Sequence, residues 1–280
     1  MPAAPPRVVV HGAPRAFLDR ARPWLLRAEA EYSLMLGIAA GLAASDRPAP
    51  ALLATVEDES GVVGAALRTP PHKLVLTRMP PAALPLVADA AEPFGDLPAV
   101  LGPPDLAEAF GRVWAGRHGV HARPGMRQRV FELTRLVPPN RPAAGRARPA
   151  QPDDVGTVAA WLGAFDAETG AAPSDARALA ERWVAAGDVW LWDEGGAAAM
   201  AAVVARSPHG ARVGAVYTPA PLRGRGYATG VVAALSRHLL GGGARFCSLY
   251  TDLANPTSNA IYRRLGYAPV ADALDVEFGP

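Results

Sequence analysis

The chain has 280 residues, half of them hydrophobic and 19% charged, with a formal net charge of +2. That length accommodates two ordinary domains, and that composition excludes a disordered chain. The basic residues are scattered arginines, with Lys73 the only lysine, which argues against a nucleic-acid-binding face.

In chain order, apolar periodicity predicts two helices within 16–44, then strands near 52–57, 62–68 and 73–77. A proline-rich helix near 81–91, a strand 99–101, a helix 106–114 and a strand 129–137 follow. The apolar run 34–44 is too short and too glycine-interrupted to span a bilayer, and no basic segment leads into a long apolar one at the N-terminus. A cytoplasmic protein without membrane contact is the expectation. His118 and His121 form an isolated H-x-x-H pair with no carboxylate or cysteine close by in sequence, so no metal site is expected.

Pro138, Pro139, Pro142 and Pro149 bracket a segment where neither helix nor strand propagates. This places a first domain at 1–139, a linker at 140–147 and a second domain at 148–280. The basic run 141–148, interleaved with Pro, Ala and Gly, reads as solvated linker. Beyond it, Asp153 or Asp154 is a candidate cap for a helix bearing Val155, Val158, Ala159 and Leu162, and Ser174 for a helix bearing Leu179 and Trp183 that ends at Gly187. Strands 189–193, 197–205 and 212–218 come next, joined by Glu194-Gly195-Gly196 and Ser207-Pro208-His209-Gly210, which makes an antiparallel meander. The same element order on both sides of the prolines suggests an internal duplication.

The most informative segment is Arg223-Gly224-Arg225-Gly226-Tyr227-Ala228-Thr229, between the strand ending at Val216-Tyr217-Thr218 and a helix striped by Ala228, Val231, Val232, Leu235 and Leu239. Two glycines at a strand-to-helix turn allow close approach of a bulky anion to the helix's first free N–H groups, and the arginines add charge-assisted bonds. A dinucleotide fingerprint needs glycine at 229, which is Thr, and a P-loop needs Gly-Lys-Ser/Thr, which is absent. Gly241-Gly242-Gly243 stops the helix. The single cysteine, Cys247, lies in a strand 246–251; it excludes an intrachain disulfide and reads as a small core residue rather than a nucleophile.

The glycine loop resembles that of the GNAT acetyltransferase superfamily, whose pattern Arg/Gln-x-x-Gly-x-Gly/Ala is filled by Arg223, Gly226 and Ala228. Downstream, the run from Asn255-Pro256 through Ile261-Tyr262 to Gly266-Tyr267 resembles the family's second motif. The resemblance implies an α/β fold of two GNAT-like domains, each a mostly antiparallel sheet flanked by helices. It implies acetyl-CoA as co-substrate, held by Val216, Tyr217 and Thr218 of a splayed strand, by residues 223–229 and by Asn255, with Tyr262 protonating the departing thiolate. The acceptor is expected to be a primary amine of a small molecule or peptide, with Asp166, Glu168, Asp252 or a water chain as candidate base. The first domain offers only Thr77-Arg78-Met79-Pro80-Pro81 at the equivalent turn, without glycine and with prolines that lack N–H donors, and so reads as a degenerate copy. Two other readings stay open: a non-catalytic acyl-CoA sensor, and an aminoacyl-tRNA-dependent transferase, for which a basic tRNA-binding face is expected. Oligomeric state is not legible.

Overall fold

The computed structural model describes residues 5–45, 50–170 and 175–280. The first half of the chain runs β1 (Arg7–Val10), α1 (Pro14–Leu25), α2 (Ser33–Ala44), β2 (Leu52–Asp58), β3 (Gly61–Arg68), β4 (Leu74–Leu76), α3 (Leu84–Ala91), β5 (Ala99–Gly102), α4 (Pro104–His118) and β6 (His121–Leu133). The second half repeats that order: β7 (Arg146–Pro149), α5 (Val155–Thr169), α6 (Ala176–Ala185), β8 (Val189–Asp193), β9 (Ala197–Arg206), β10 (Gly210–Tyr217), α7 (Tyr227–Gly241), β11 (Phe246–Asp252), α8 (Pro256–Arg264) and β12 (Ala268–Gly279). The mixed α/β class and the repeated order expected from sequence are both present.

Two compact units result, each drawing on separate segments of the chain. One comprises 1–130, 251–255 and 270–280; the other comprises 131–250 and 256–269. In the first, β1 to β4 form an antiparallel series and β4 pairs with β5 in parallel. β12 then pairs antiparallel with β5, Leu274 facing Gly102, so the last strand of the chain completes this sheet. Its buried Asp275 accepts hydrogen bonds from Lys73 Nζ (2.7 Å) and Gln128 Nε2 (3.1 Å). A cut at 140–147 into contiguous domains is not how the units divide, because β12 buries Leu274 and Val276 in the first unit's core.

The first sheet is covered on both faces. Along β2, Leu52, Ala54 and Val56 join α3 and α4 in one core, while Leu53 joins Phe17, Leu25 and Met35 of α1 and α2 in the other. The second unit has the same three-layer build. There β7 to β10 are antiparallel and β10 pairs with β11 in parallel. Val213, Leu249, Val231 and Leu235 fill the core under α7, and Met200, Ala202, Tyr217, Val158 and Leu162 fill the core under α5 and α6.

Several local expectations are met and others shift. A capping box between Gln151 and Asp154 opens the turn before α5. The expected cap Ser174 lies outside the described residues; Asp175 caps α6, its side chain accepting from Ala178 N. Strand β6 starts well before the expected 129. The stretch read as solvated linker is ordered against β8: Trp192 Nε1 donates to Ala144 O (2.7 Å), and Arg148 pairs with Asp154 (2.6 Å) and Asp193 (2.8 Å). Its last residues pair with β8 in register, while Arg141, Pro142 and Ala144 to Arg146 stay exposed. His118 does find a carboxylate, Glu92 Oε2 at 3.0 Å, brought in by the fold rather than by sequence proximity.

Candidate functional site

The site is built by the way β10 leaves its neighbour. Parallel pairing with β11 covers Gly210↔Phe246, Ala211↔Cys247 and Arg212↔Ser248, while β10 continues to Tyr217 and β11 to Asp252. Val213 to Tyr217 lie beyond this register, on the open side of a fork. On the other side, the β9–β10 ladder shifts register between Gly214 and Tyr217. Ala215 sits there at φ 47°, the one non-glycine residue with positive φ among the described residues. Positive φ is disfavoured for any residue with a Cβ, and strain of this kind concentrates at functional sites. The bulge turns the strand over: Ala211 and Val213 pack under α7, but Ala215 and Tyr217 pack under α5 and α6.

Beyond the fork the chain passes Thr218 and a short turn, Ala220–Leu222, before α7. Gly224 has φ 78°, and Gly226, at φ 87° and ψ 2°, is the N-cap of α7 with no side-chain cap. Thr229, Ala228 and Tyr227 therefore present first-turn N–H groups that no capping side chain takes, at the positive end of the helix dipole. Such an end fits a diphosphate-like anion. Tyr227 contributes its amide only, because its ring is buried in the core, while Ala228 is half-buried. Thr218 Oγ1 is buried without a hydrogen-bond partner among the described residues.

Both arginines expected at the anion have protein partners in this structure. Arg223 sends Nη2 to both oxygens of Glu168 (2.8 and 2.6 Å) and Nε to Thr218 O (2.9 Å), with its guanidinium 5.8 Å from the Tyr217 ring centre. Tyr217 Oη also reaches Glu168, at 3.3 Å. Arg223 thereby fastens the loop to α5. Arg225 Nη2 donates to Pro221 O at 3.3 Å, within the same turn.

The second motif is divided between the units. Asn255, whose N donates to Asp252 O at 3.1 Å, is grouped with the first, and Pro256 opens α8 in the other. Tyr262 is buried on α8, its ring 6.4 Å from that of Phe131 and 5.8 Å from that of Tyr267. Burial pushes its phenol up to about 12, so it keeps its proton at neutral pH. Cys247 is fully buried and likewise pushed up to about 12, the state of an inert core thiol. Among the described residues no group of three metal-ligating side chains converges, and no helix is long and apolar enough to cross a membrane.

A forked parallel strand pair leading into a glycine-opened helix is the architecture of GNAT-fold proteins, and comparison with known proteins agrees. Residues 191–274 match the family described as FR47-like protein. Among solved structures the chain is similar to a GCN5-related N-acetyltransferase from Sphaerobacter thermophilus, with 18% identity, 98% of this chain and 95% of that one covered, and a TM-score of 0.64. It is similar to a GCN5-related N-acetyltransferase from Kribbella flavida, with 18% identity, 90% and 95% covered and a TM-score of 0.59. A tandem GNAT protein from the clavulanic acid biosynthesis pathway aligns over 98% of this chain and 99% of that one, at 14% identity and a TM-score of 0.54. No curated protein matches the sequence. The protein has the GNAT fold, with its FR47-like segment in the C-terminal half.

Proposed function

We propose that the protein is an N-acetyltransferase that moves an acetyl group from acetyl-CoA to a primary amine of a small molecule or peptide. One observation carries the reading: the β10–β11 fork ends at an uncapped helix whose first turn is opened by Gly224 and Gly226. Thioester and diphosphate of one elongated ligand fit that sequence of features. In this reading the amides of Tyr227, Ala228 and Thr229 take the diphosphate, and the free edge of β10 at Val216, Tyr217 and Thr218 pairs with the pantetheine arm. The co-substrate supplies an acyl carbon already activated as a thioester.

The chain's own residues then orient and move protons. The fork holds the thioester carbonyl beside β10 main-chain groups, which favours developing oxyanion charge. Tyr262, protonated throughout the neutral range, donates to the leaving thiolate. Asp166 and Asp252 stay as base candidates; Glu168 is engaged by Arg223 and Tyr217 and acts as a positioning residue. A cytoplasmic setting belongs to the proposal.

A second reading, an acyl-CoA sensor without turnover, draws on the packing of Tyr262 among aromatic rings, which also suits a purely structural side chain. Thermal unfolding with acetyl-CoA at a hundredfold its Kd should show stabilisation of about 2.7 kcal/mol. Thiol release with an amine panel then separates the two readings. Absence of any stabilisation contradicts both; stabilisation without thiol release leaves the sensor.

A further inference from the structure

Some arginines of the second unit spend their guanidinium on carboxylates: Arg148 on Asp154 and Asp193, Arg206 on Asp188, Arg223 on Glu168. Arg212 is placed differently. It occupies the last paired step of β10 and β11, opposite Ser248, at the closed end of the fork. Its neighbours Ala211 and Val213 belong to the core under α7, so strand alternation puts Arg212 on the other face, toward the α5–α6 side where Ala215 and Tyr217 pack. The same alternation from Cys247 and Leu249 puts Tyr250 there too.

The Arg212 guanidinium lies 5.7 Å from the Tyr250 ring centre, and its Nε is shut off from solvent without a hydrogen-bond partner among the described residues. Burial holds its pKa below the ordinary arginine value, and the neighbour acting against that shift is Tyr250. Arg212 as a whole is partly buried; a cation partly withdrawn from water, with no carboxylate paired to it among the described residues, carries a cost that a ring face offsets only in part. A side chain kept there for packing alone would be better replaced by methionine or leucine. Arginine binds carboxylate through two parallel N–H groups, and Nε with an Nη is one such edge.

We infer that Arg212 is the anion-binding group of the substrate pocket and takes a carboxylate carried by the substrate. The inference rests on the acetyltransferase reading and narrows it. That carboxylate has two possible bearers: the amine acceptor, which is then an amino acid or a peptide's end, or the far end of a dicarboxylic acyl group on the donor.

Paired substrates test it. With acetyl-CoA as donor, rates are compared for phenylalanine against phenethylamine and for glutamate against 4-aminobutyrate methyl ester. In a second arm, thermal stabilisation by succinyl-CoA is compared with that by acetyl-CoA. The expected result is a tenfold or greater preference for the carboxylate-bearing member in one arm. That preference should fall to near one in Arg212→Met and be only partly kept in Arg212→Lys, which retains charge without the two-donor edge and guards against a misfolded Met variant. Stabilisation of the wild type by acetyl-CoA with no carboxylate preference in either arm overturns this inference alone, as does a preference that survives both substitutions. Failure of acetyl-CoA to stabilise the wild type overturns the acetyltransferase reading beneath it.

Discussion

The two parallel strand pairs, β4–β5 and β10–β11, occupy the same place in the repeated element order and end in opposite ways. In the first unit, β4 stops at Leu76, and Gly102 at the end of β5 lies so near that an added Cβ would stand 3.0 Å from Leu76 Cβ. The chain beyond β4 is stitched back onto β3: Thr77 N donates to Ala65 O (3.0 Å), Ala65 N donates to Thr77 Oγ1 (2.8 Å), and Met79 presses on Gly64, where a Cβ would meet Met79 Cβ at 2.5 Å. Pro80, Pro81 and Pro85 then lead into α3 and remove N–H donors where α7 presents them. In the second unit β10 runs on past the paired steps, kinks at Ala215 and delivers the chain to two left-handed glycines. A shared order of elements thus fixes the layers, while strand length and the supply of free amides decide which unit has the fork and the open helix start.

The sharpest way to break the contrast is Gly226→Val. A β-branched side chain at φ 87° is strained, and the first turn of α7 should lose its geometry. Acetyl-CoA affinity is expected to fall several hundredfold by calorimetry, whereas Pro81→Gly in the first unit leaves it unchanged. Acid separates the units by another route. Glu57, buried and bonded by Arg20, Thr55 and Arg7, has a carboxyl held down to about 2, with Arg20 the largest cause. A depressed carboxyl stabilises above its unfolded value near 4.5 and loses that contribution as pH falls toward 2, about 3 kcal/mol in all. Urea unfolding at pH 6 and pH 2.5 should show this acid loss in the wild type and a smaller one in Glu57→Gln.

Tyr262→Phe keeps the ring packing and removes the proton, so kcat should drop about a hundredfold with acetyl-CoA affinity within twofold; an unchanged kcat returns Tyr262 to a core role. Gly64→Ala drives a methyl into Met79 and the Arg78 carbonyl and is expected to cost about 1–3 kcal/mol in stability without touching donor binding. Glu168→Gln is the mildest. Its pair with Arg223 is half-exposed, so acetyl-CoA KM should rise only a few-fold.

Much of this was legible in the residues, and what was not has physical causes. Gly224 and Gly226 announced the helix opening because only glycine takes left-handed backbone cheaply, and Val231, Val232, Leu235 and Leu239 announced the helix that follows. The bulge was hidden. Ala211, Val213, Ala215 and Tyr217 keep an unbroken alternation, so the pattern gives no sign that the strand changes face between Val213 and Ala215. Arg223 is a basic residue beside a phosphate-type loop, and nothing local says that Glu168, on a helix far back in sequence, takes its guanidinium. Residues 141–148 read as linker from their prolines and arginines, yet Arg146 to Arg148 take a register with β8, and Asp154 and Asp193 bind Arg148. Pairing of β12 with β5 is a contact between the chain's end and its first half, which no local periodicity encodes.

Amide hydrogen exchange with and without acetyl-CoA tests the central contrast most directly. The account predicts new protection at Val216 to Thr218 and at Tyr227 to Thr229, with no change at residues 77–84. Protection appearing at 77–84, or none at the first turn of α7, contradicts it.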